Sequence, residues 1–309
     1  MSDVLALTLV GANGDLIDCA TAPYRLGAGQ VLFGPPPVET PSLPATGLLA
    51  GVVDGRARWS ERALRVRLVL DCGSPQELLE AIQRLSAAVA PVTPGTTRGR
   101  NCQLIVTRPD GEIRTISARY TGGLDGLAIE TGVDSALVVD LIFRAADPHW
   151  SNLNQVDAYI TFPVTGSGAE ATPFNAPIGF NQVGHPFNGF QSTEAAGTAV
   201  VTLVNQGDAE AWPTFEVTGA ASAVEVMSRT TGHRWRWAGT LGSGLVLTVI
   251  TDDRAPSVRV GATNSYSGIA AGSRLFPLVG GPNDVAFSIA GADTNTRVAI
   301  SWQHRQLTA

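Results

Sequence analysis

The feature that most restricts this sequence is how soon every apolar pattern is interrupted. Alternating apolar and polar residues run for a few positions and then meet a turn. The interruptions come from 34 Gly and 19 Pro in 309 residues. A period of two sends successive side chains to opposite faces of a strand, so each run reads as a short strand with one buried face. Many short strands separated by Gly and Pro pack as sandwiches or barrels.

Local chemistry sharpens the first half. Val4–Val10 and Asp15–Ala20 flank Gly11-Ala12-Asn13-Gly14, and the Asn-Gly pair favours a hairpin turn. Gly34 through Pro44 carries too many prolines for a strand interior and reads as an extended loop or arm. Ala63–Leu70 is a strand. One helix follows, over about 75–90. Ser74 is its cap, Pro75 its first residue, and Glu77 stands at the capping-box offset. Leu78, Ile82, Leu85 and Val89 form one apolar stripe that packs on a sheet, and Pro91 and Pro94 end the helix. Arg100–Thr107 and Glu112–Tyr120 make a hairpin through Arg108-Pro109-Asp110-Gly111, with Ile116, Ala118 and Tyr120 on one face. Ala136–Phe143 is a nearly continuous apolar strand broken by Asp140, closing on Asp147-Pro148-His149-Trp150.

Composition changes after Trp150. Residues 151–198 are rich in Asn, Gly, Phe and Pro, with a local echo in Pro173-Phe174-Asn175, Gly179-Phe180-Asn181 and Pro186-Phe187-Asn188. The segment reads as the connection between two domains, 1–152 and 153–309, and as the first edge of the second. Eight short strands follow: Thr198–Val204, Thr214–Val217, Ala223–Met227, Arg234–Ala238, Leu245–Ile250, Ser257–Val260, Asp284–Ile289 and Arg297–Gln303. That number is a jelly-roll or galectin-like sandwich's. The expected fold class is mainly β: an N-terminal sandwich or split barrel with one packed helix, then a C-terminal β-sandwich.

Charge and side-chain spacing bear on chemistry. The net charge is −6 and every Lys-or-Arg position is Arg, with no basic block to grip nucleic acid. Cys19, Cys72 and Cys102 are odd in number and far apart, which disfavours a disulfide framework or a zinc site and suits folding in a cytoplasm. The N-terminus lacks the pattern of a signal peptide, and no apolar run is long enough to span a bilayer. His149, His185, His233 and His304 include no helical metal pair. No G-x-S-x-G elbow occurs, and Gly27-Ala28-Gly29 leads into strand-like residues and Pro, which is no phosphate cradle. Asp252-Asp253 would point to opposite faces of a strand and reads as a turn cap. The residues therefore predict no catalytic, cofactor-binding or metal site. Arg234-Trp235-Arg236-Trp237 sets both indoles on one face: either core with arginines outside, or a stacking platform for a sugar.

Taken in order, these pieces resemble the distal tail protein family of siphophages, in the form found in phages of GC-rich actinobacterial hosts. The resemblance runs nearly end to end. It rests on the N-terminal hairpin, the Pro-rich stretch, Arg62 before a strand, the single helix and the Leu104–Gly111 and Arg114–Tyr120 hairpin. It continues through Phe143-Arg144-Ala145-Ala146-Asp147-Pro148-His149-Trp150, then Asn205-Gln206-Gly207-Asp208 through Pro213, and Ile250-Thr251-Asp252. It closes with Phe276-Pro277-Leu278 before Gly280-Gly281-Pro282-Asn283, and with Ile300–Arg305. It departs at His149, where the family carries an aromatic ring, and in the spacing before Asn283.

The resemblance implies a structural virion protein and not an enzyme. The first domain would form a homo-hexameric ring, and the second a galectin-like sandwich projecting outward. The ring would join the tail tube protein to the tail-tip or baseplate hub protein, near the tape-measure protein, with DNA only in passage, no cofactor and no membrane insertion. It would sit at the phage tail tip after synthesis in the host cytoplasm. An alternative is a tail protein binding host-envelope glycan through the second domain, with Trp235 and Trp237 as its motive. A third, an envelope glycosidase, needs two carboxylates about 5–9.5 Å apart across a cleft, and no pair in the sequence earns that assignment.

Overall fold

The computed structural model describes residues 6–28, 34–40, 42–44, 52–54, 58–90, 101–125, 135–161, 198–293 and 295–309. The chain divides into two compact units, Met1–Asn154 with Arg305–Ala309, and Gln155–His304.

The first unit runs β1 (Ala6–Val10), β2 (Leu16–Asp18), β3 (Tyr24–Leu26), β4 (Val38–Glu39), β5 (Ser42–Pro44), β6 (Val52–Asp54), β7 (Arg58–Trp59) and β8 (Arg62–Asp71). Then come α1 (Pro75–Val89), β9 (Cys102–Thr107), β10 (Ile113–Gly122), β11 (Ala136–Ala145) and β12 (Trp150–Thr161), whose first residues belong to this unit. Antiparallel pairing runs β2-β1-β9-β10 and then β10-β11-β8-β3. The long strand β10 serves both halves, with Ile113–Ala118 on β9 and Arg119–Gly122 on β11. Among the described residues the sheets are antiparallel and close no barrel.

Turn chemistry works as its residues predict. Gly14 and Gly111 take positive φ, 92° and 87°, and close their hairpins with N–H donation to Gly11 O and Arg108 O. Gly11 is required for a different reason: a Cβ there would lie 2.6 Å from Ala88 O at the end of α1. Helix α1 starts as predicted, with Ser74 Oγ accepting from Glu77 N. The Glu77 carboxylate reaches back to Gly73 N at 2.8 Å, one residue earlier than in a capping box. Leu78, Ala81, Leu85, Ala88 and Val89 are buried against Leu64, Val66, Leu68, Leu141 and Phe143.

One expectation needs correction. The Pro-rich stretch is not all loop, because Val38–Glu39 pairs with Arg58–Trp59 and Ser42–Pro44 with Val52–Asp54. Two-stranded ladders have free edges, where a Pro without an N–H costs little. Residues 151–161 continue β12, which from Gln155 belongs to the second unit. The Phe-Asn echo, His185 and the helix-ending Pro91 and Pro94 lie outside the described residues.

The second unit holds β13 (Thr198–Asn205), β14 (Thr214–Thr218), β15 (Ala221–Ser228), β16 (Arg234–Leu241), β17 (Val246–Ile250), β18 (Ser257–Val260), β19 (Thr263–Asn264), a 3-10 turn at Tyr266–Gly268, β20 (Gly281–Ala290) and β21 (Arg297–Gln306). All eight expected strands are present. One sheet runs β13-β20-β15-β16 and the other β19-β18-β17-β14-β21. They face each other across an aromatic core in which Phe215 of β14 meets Trp235 of β16 at 5.5 Å and Phe287 of β20 at 6.0 Å between ring centroids. That is a β-sandwich.

Candidate functional site

In the first unit the Asp147–Trp150 motif meets the end of the chain. Trp150 is fully buried in the core. Asp147 binds Arg305, with Nη2 donating to Oδ1 and, at 2.6 Å, to Oδ2. Arg305 Nη2 also lies 2.9 Å from His149 Nδ1, and the His149 backbone N–H donates to Asp147 Oδ1 at 3.2 Å. His149 is buried and stacks edge-on to Trp59 at 6.3 Å.

Three further arginines hold the residues after Arg305 by their backbone. Arg62 donates to Leu307 O at 2.6 Å, to Pro148 O at 3.0 Å and to Gly34 O. Arg114 donates to Thr308 O at 2.8 Å and Arg108 to Ala309 O at 3.0 Å. A guanidinium suits this work because its donors are fixed in one plane and can serve several acceptors at once. Burial lowers the pKa of Arg62 from its usual value. The arrangement binds backbone.

A charged face lies on the outer side of β3, β8, β11 and the end of β10. Arg25, Arg65, Arg67, Arg119 and Arg144 come together there. Arg67 forms a bidentate pair with Asp140, both bonds 2.7 Å, Arg144 pairs with Glu61, and Arg25 stands 3.9 Å from Asp71. The Arg67 hydrogen bonds hold the Asp140 carboxyl below its ordinary value. No run of basic residues announces this face, because four separate strands supply it.

The other singled-out residues scatter. Trp235 and Trp237 are 0% and 2% exposed, with Arg234 and Arg236 outside, so neither indole offers a stacking face. Asp252 forms a turn, its Oδ1 accepting from Arg254 N at 3.0 Å. His304 is buried and accepts from Gln206 N at 3.1 Å through Nδ1. Gly27 extends the β3 ladder by donating to Arg67 O. All three thiols are free, with Cys19 and Cys102 buried, and burial pushes the Cys19 thiol up to about 12. Among the described residues no group of three His, Cys, Asp or Glu is placed to hold a metal ion, and no helix is long and apolar enough to cross a membrane.

Two motifs of the second unit acquire structural reasons. Asn205 donates to Ala209 O and Leu278 O and accepts from Gly207 N, fixing the turn before Trp212. Asn283, wholly buried, donates to Val279 O and Gly281 O and accepts from Val279 N, fixing the turn into β20.

Residues 206–305 match the family described as siphovirus-type tail component, C-terminal domain. No curated protein matches the chain. Among solved structures it is similar to the Dit protein (gp 19.1) of phage SPP1, described as a paradigm of the hub adsorption apparatus in phages infecting Gram-positive bacteria. The identity is 14% over 98% of this chain and 99% of that one, with a TM-score of 0.62. A chain of the phage P2 baseplate in its activated conformation with Ca is similar at 8% identity over 99% and 100%, TM-score 0.52. At such identities the likeness is one of fold. Residues 206–305 thus match the C-terminal domain of the siphovirus-type tail components, and the fold of the chain is similar to that of a tail hub protein.

Proposed function

We propose that this chain is the distal tail protein of a long-tailed phage. It acts by assembling and not by catalysis, through a ring, hexameric by analogy, that joins the tail tube to the tail tip and leaves a passage for DNA. The observation that carries the reading is the end-to-end likeness of fold to a hub protein, supported by the tail-component match in residues 206–305. The surface is compatible. Val138 and Ile142, 56% and 44% exposed, flank Asp140 on the uncovered face of β11. A single heterologous contact, repeated, closes a ring when its rotation closes. A chain of net charge −6 offers little overall attraction to passing phosphate.

Mass photometry and negative-stain electron microscopy of the purified protein test this. A ring of six copies is expected. A monomer at tens of micromolar, together with purified tails lacking such a ring, would overturn it. A cell-wall turnover assay addresses the non-enzymatic half, and sustained release of saccharide by the pure protein would refute it.

A further inference from the structure

The second unit carries a surface cleft that assembly leaves unexplained. A hollow of about 460 Å³ is lined by Trp212, His233, Asp253, Tyr266, Ser273 and Arg274, among others. Beside it a second hollow of about 360 Å³ is lined by Ser257, Arg259 and Asn264. Tyr266 and Pro256 border both, so the two hollows adjoin across the tyrosine.

The walls are firmly built. Backbone bonds on both sides fix Trp212, which is half-buried: Ala211 and Leu278 exchange N–H and C=O at 2.9 and 2.7 Å, and Pro213 O accepts from Thr251 Oγ1 at 2.7 Å. Tyr266, 45% exposed, opens the 3-10 turn, with its N–H on Asn264 Oδ1 at 2.9 Å. Below that turn lies the buried Trp237. Its Nε1 donates to Ser265 Oγ at 3.0 Å, and Gly268 sits so close that a Cβ would come within 2.5 Å of that nitrogen. The segment bearing Ser273 and Arg274 is held along β16 by Ala270 N to Arg236 O, 2.8 Å, and Arg274 N to Arg234 O, 2.7 Å. Trp237 is thus a pedestal for an exposed ring, not a platform itself.

The lining selects a chemistry. Glu210 and Asp253 are balanced by Arg274 and Arg259, so a polyanion gains no excess of cations. Hydroxyl, carboxylate and guanidinium groups of both hydrogen-bonding senses surround two aromatic side chains, which offer an apolar face and a polar tip. A pyranose, with hydroxyls around its rim and C–H groups on its faces, satisfies both. We propose that this cleft binds a neutral oligosaccharide lying across Tyr266, with Trp212 as the second ring contact. The proposal goes beyond the assembly reading and does not depend on it.

The test uses the full-length protein. Saturation-transfer NMR and isothermal titration against tetrasaccharides of glucose, galactose, mannose, rhamnose and N-acetylglucosamine should find at least one that binds. Tyr266→Ala and Trp212→Ala should each weaken it about tenfold. Tyr266→Phe should bind nearly as well as the parent, because the ring face is kept. Arg119→Ala, in the first unit, should have no effect. Near-ultraviolet circular dichroism checks that each variant is folded, and Tyr266→Ala, altered at an exposed ring, carries the test if Trp212→Ala is not. No binding to any member overturns the proposal, as does binding unchanged in Tyr266→Ala, or binding of an extended peptide library where the saccharides fail. Mass photometry of the same samples separates the two readings, since losing the sugar leaves any ring intact.

Discussion

Arg62 opens β8, and its guanidinium is buried and serves Gly34 O, Pro148 O and Leu307 O. Arg62→Ala should cost about 3 kcal/mol in urea unfolding, because several buried carbonyls lose their donor together. Arg62→Lys should recover less than half, since a point ammonium cannot span the same acceptors. The cysteines make a second test at this scale. Cys19, with its pKa pushed to about 12 by burial, should resist alkylation at pH 8 in the native protein, and all three thiols should react in guanidinium. Burial favours its neutral form, so this thiol contributes stability that is lost as pH rises above 9 and the unfolded thiol ionises. Asp140 works the other way. Its folded value is depressed by Arg67, so its contribution is present above the ordinary 3.8 and disappears as pH falls through the lower folded value. Acid titration of Asp140→Asn, followed by circular dichroism, should show that part of the acid sensitivity missing.

Elements differ in how local their causes are. Helix α1 is set by its own residues, and its cap can be tested alone: Ser74→Ala should cost about 1 kcal/mol, read from the chemical denaturation midpoint. The last five residues are the opposite case. Arg305 is bound by Asp147, and Leu307, Thr308 and Ala309 are held by Arg62, Arg114 and Arg108. Ala309 is 2% exposed within the first unit's core. Removing residues 305–309 should lower the melting temperature of that unit by more than any one of these arginine substitutions, as scanning calorimetry would record. Nothing in Gln306-Leu307-Thr308-Ala309 signals that role, because partners at separations of 158 to 245 residues leave no local pattern.

At the scale of the whole molecule, the two units bury separate cores. Phe215 is fully buried and meets Trp235, Phe276 and Phe287. Phe215→Ala should therefore destabilise the second unit by about 3–5 kcal/mol, leaving the transition sensitive to Arg62→Ala in place. The sequence alone determined the strands of the second sandwich, the capped helix and the Asp-Gly and Asn-Gly hairpins. These follow from period, turn geometry and spacing, which act over a few residues. Only the tertiary structure decided which aromatic rings face solvent. Trp235 and Trp237 have the alternation of a platform and are core, while Trp212 and Tyr266, 54 positions apart in number, border one cleft. It also decided where the arginines gather and where the chain's end is held. Pairing between distant strands sets those positions, and a one-residue change of register would have sent each side chain to the other face.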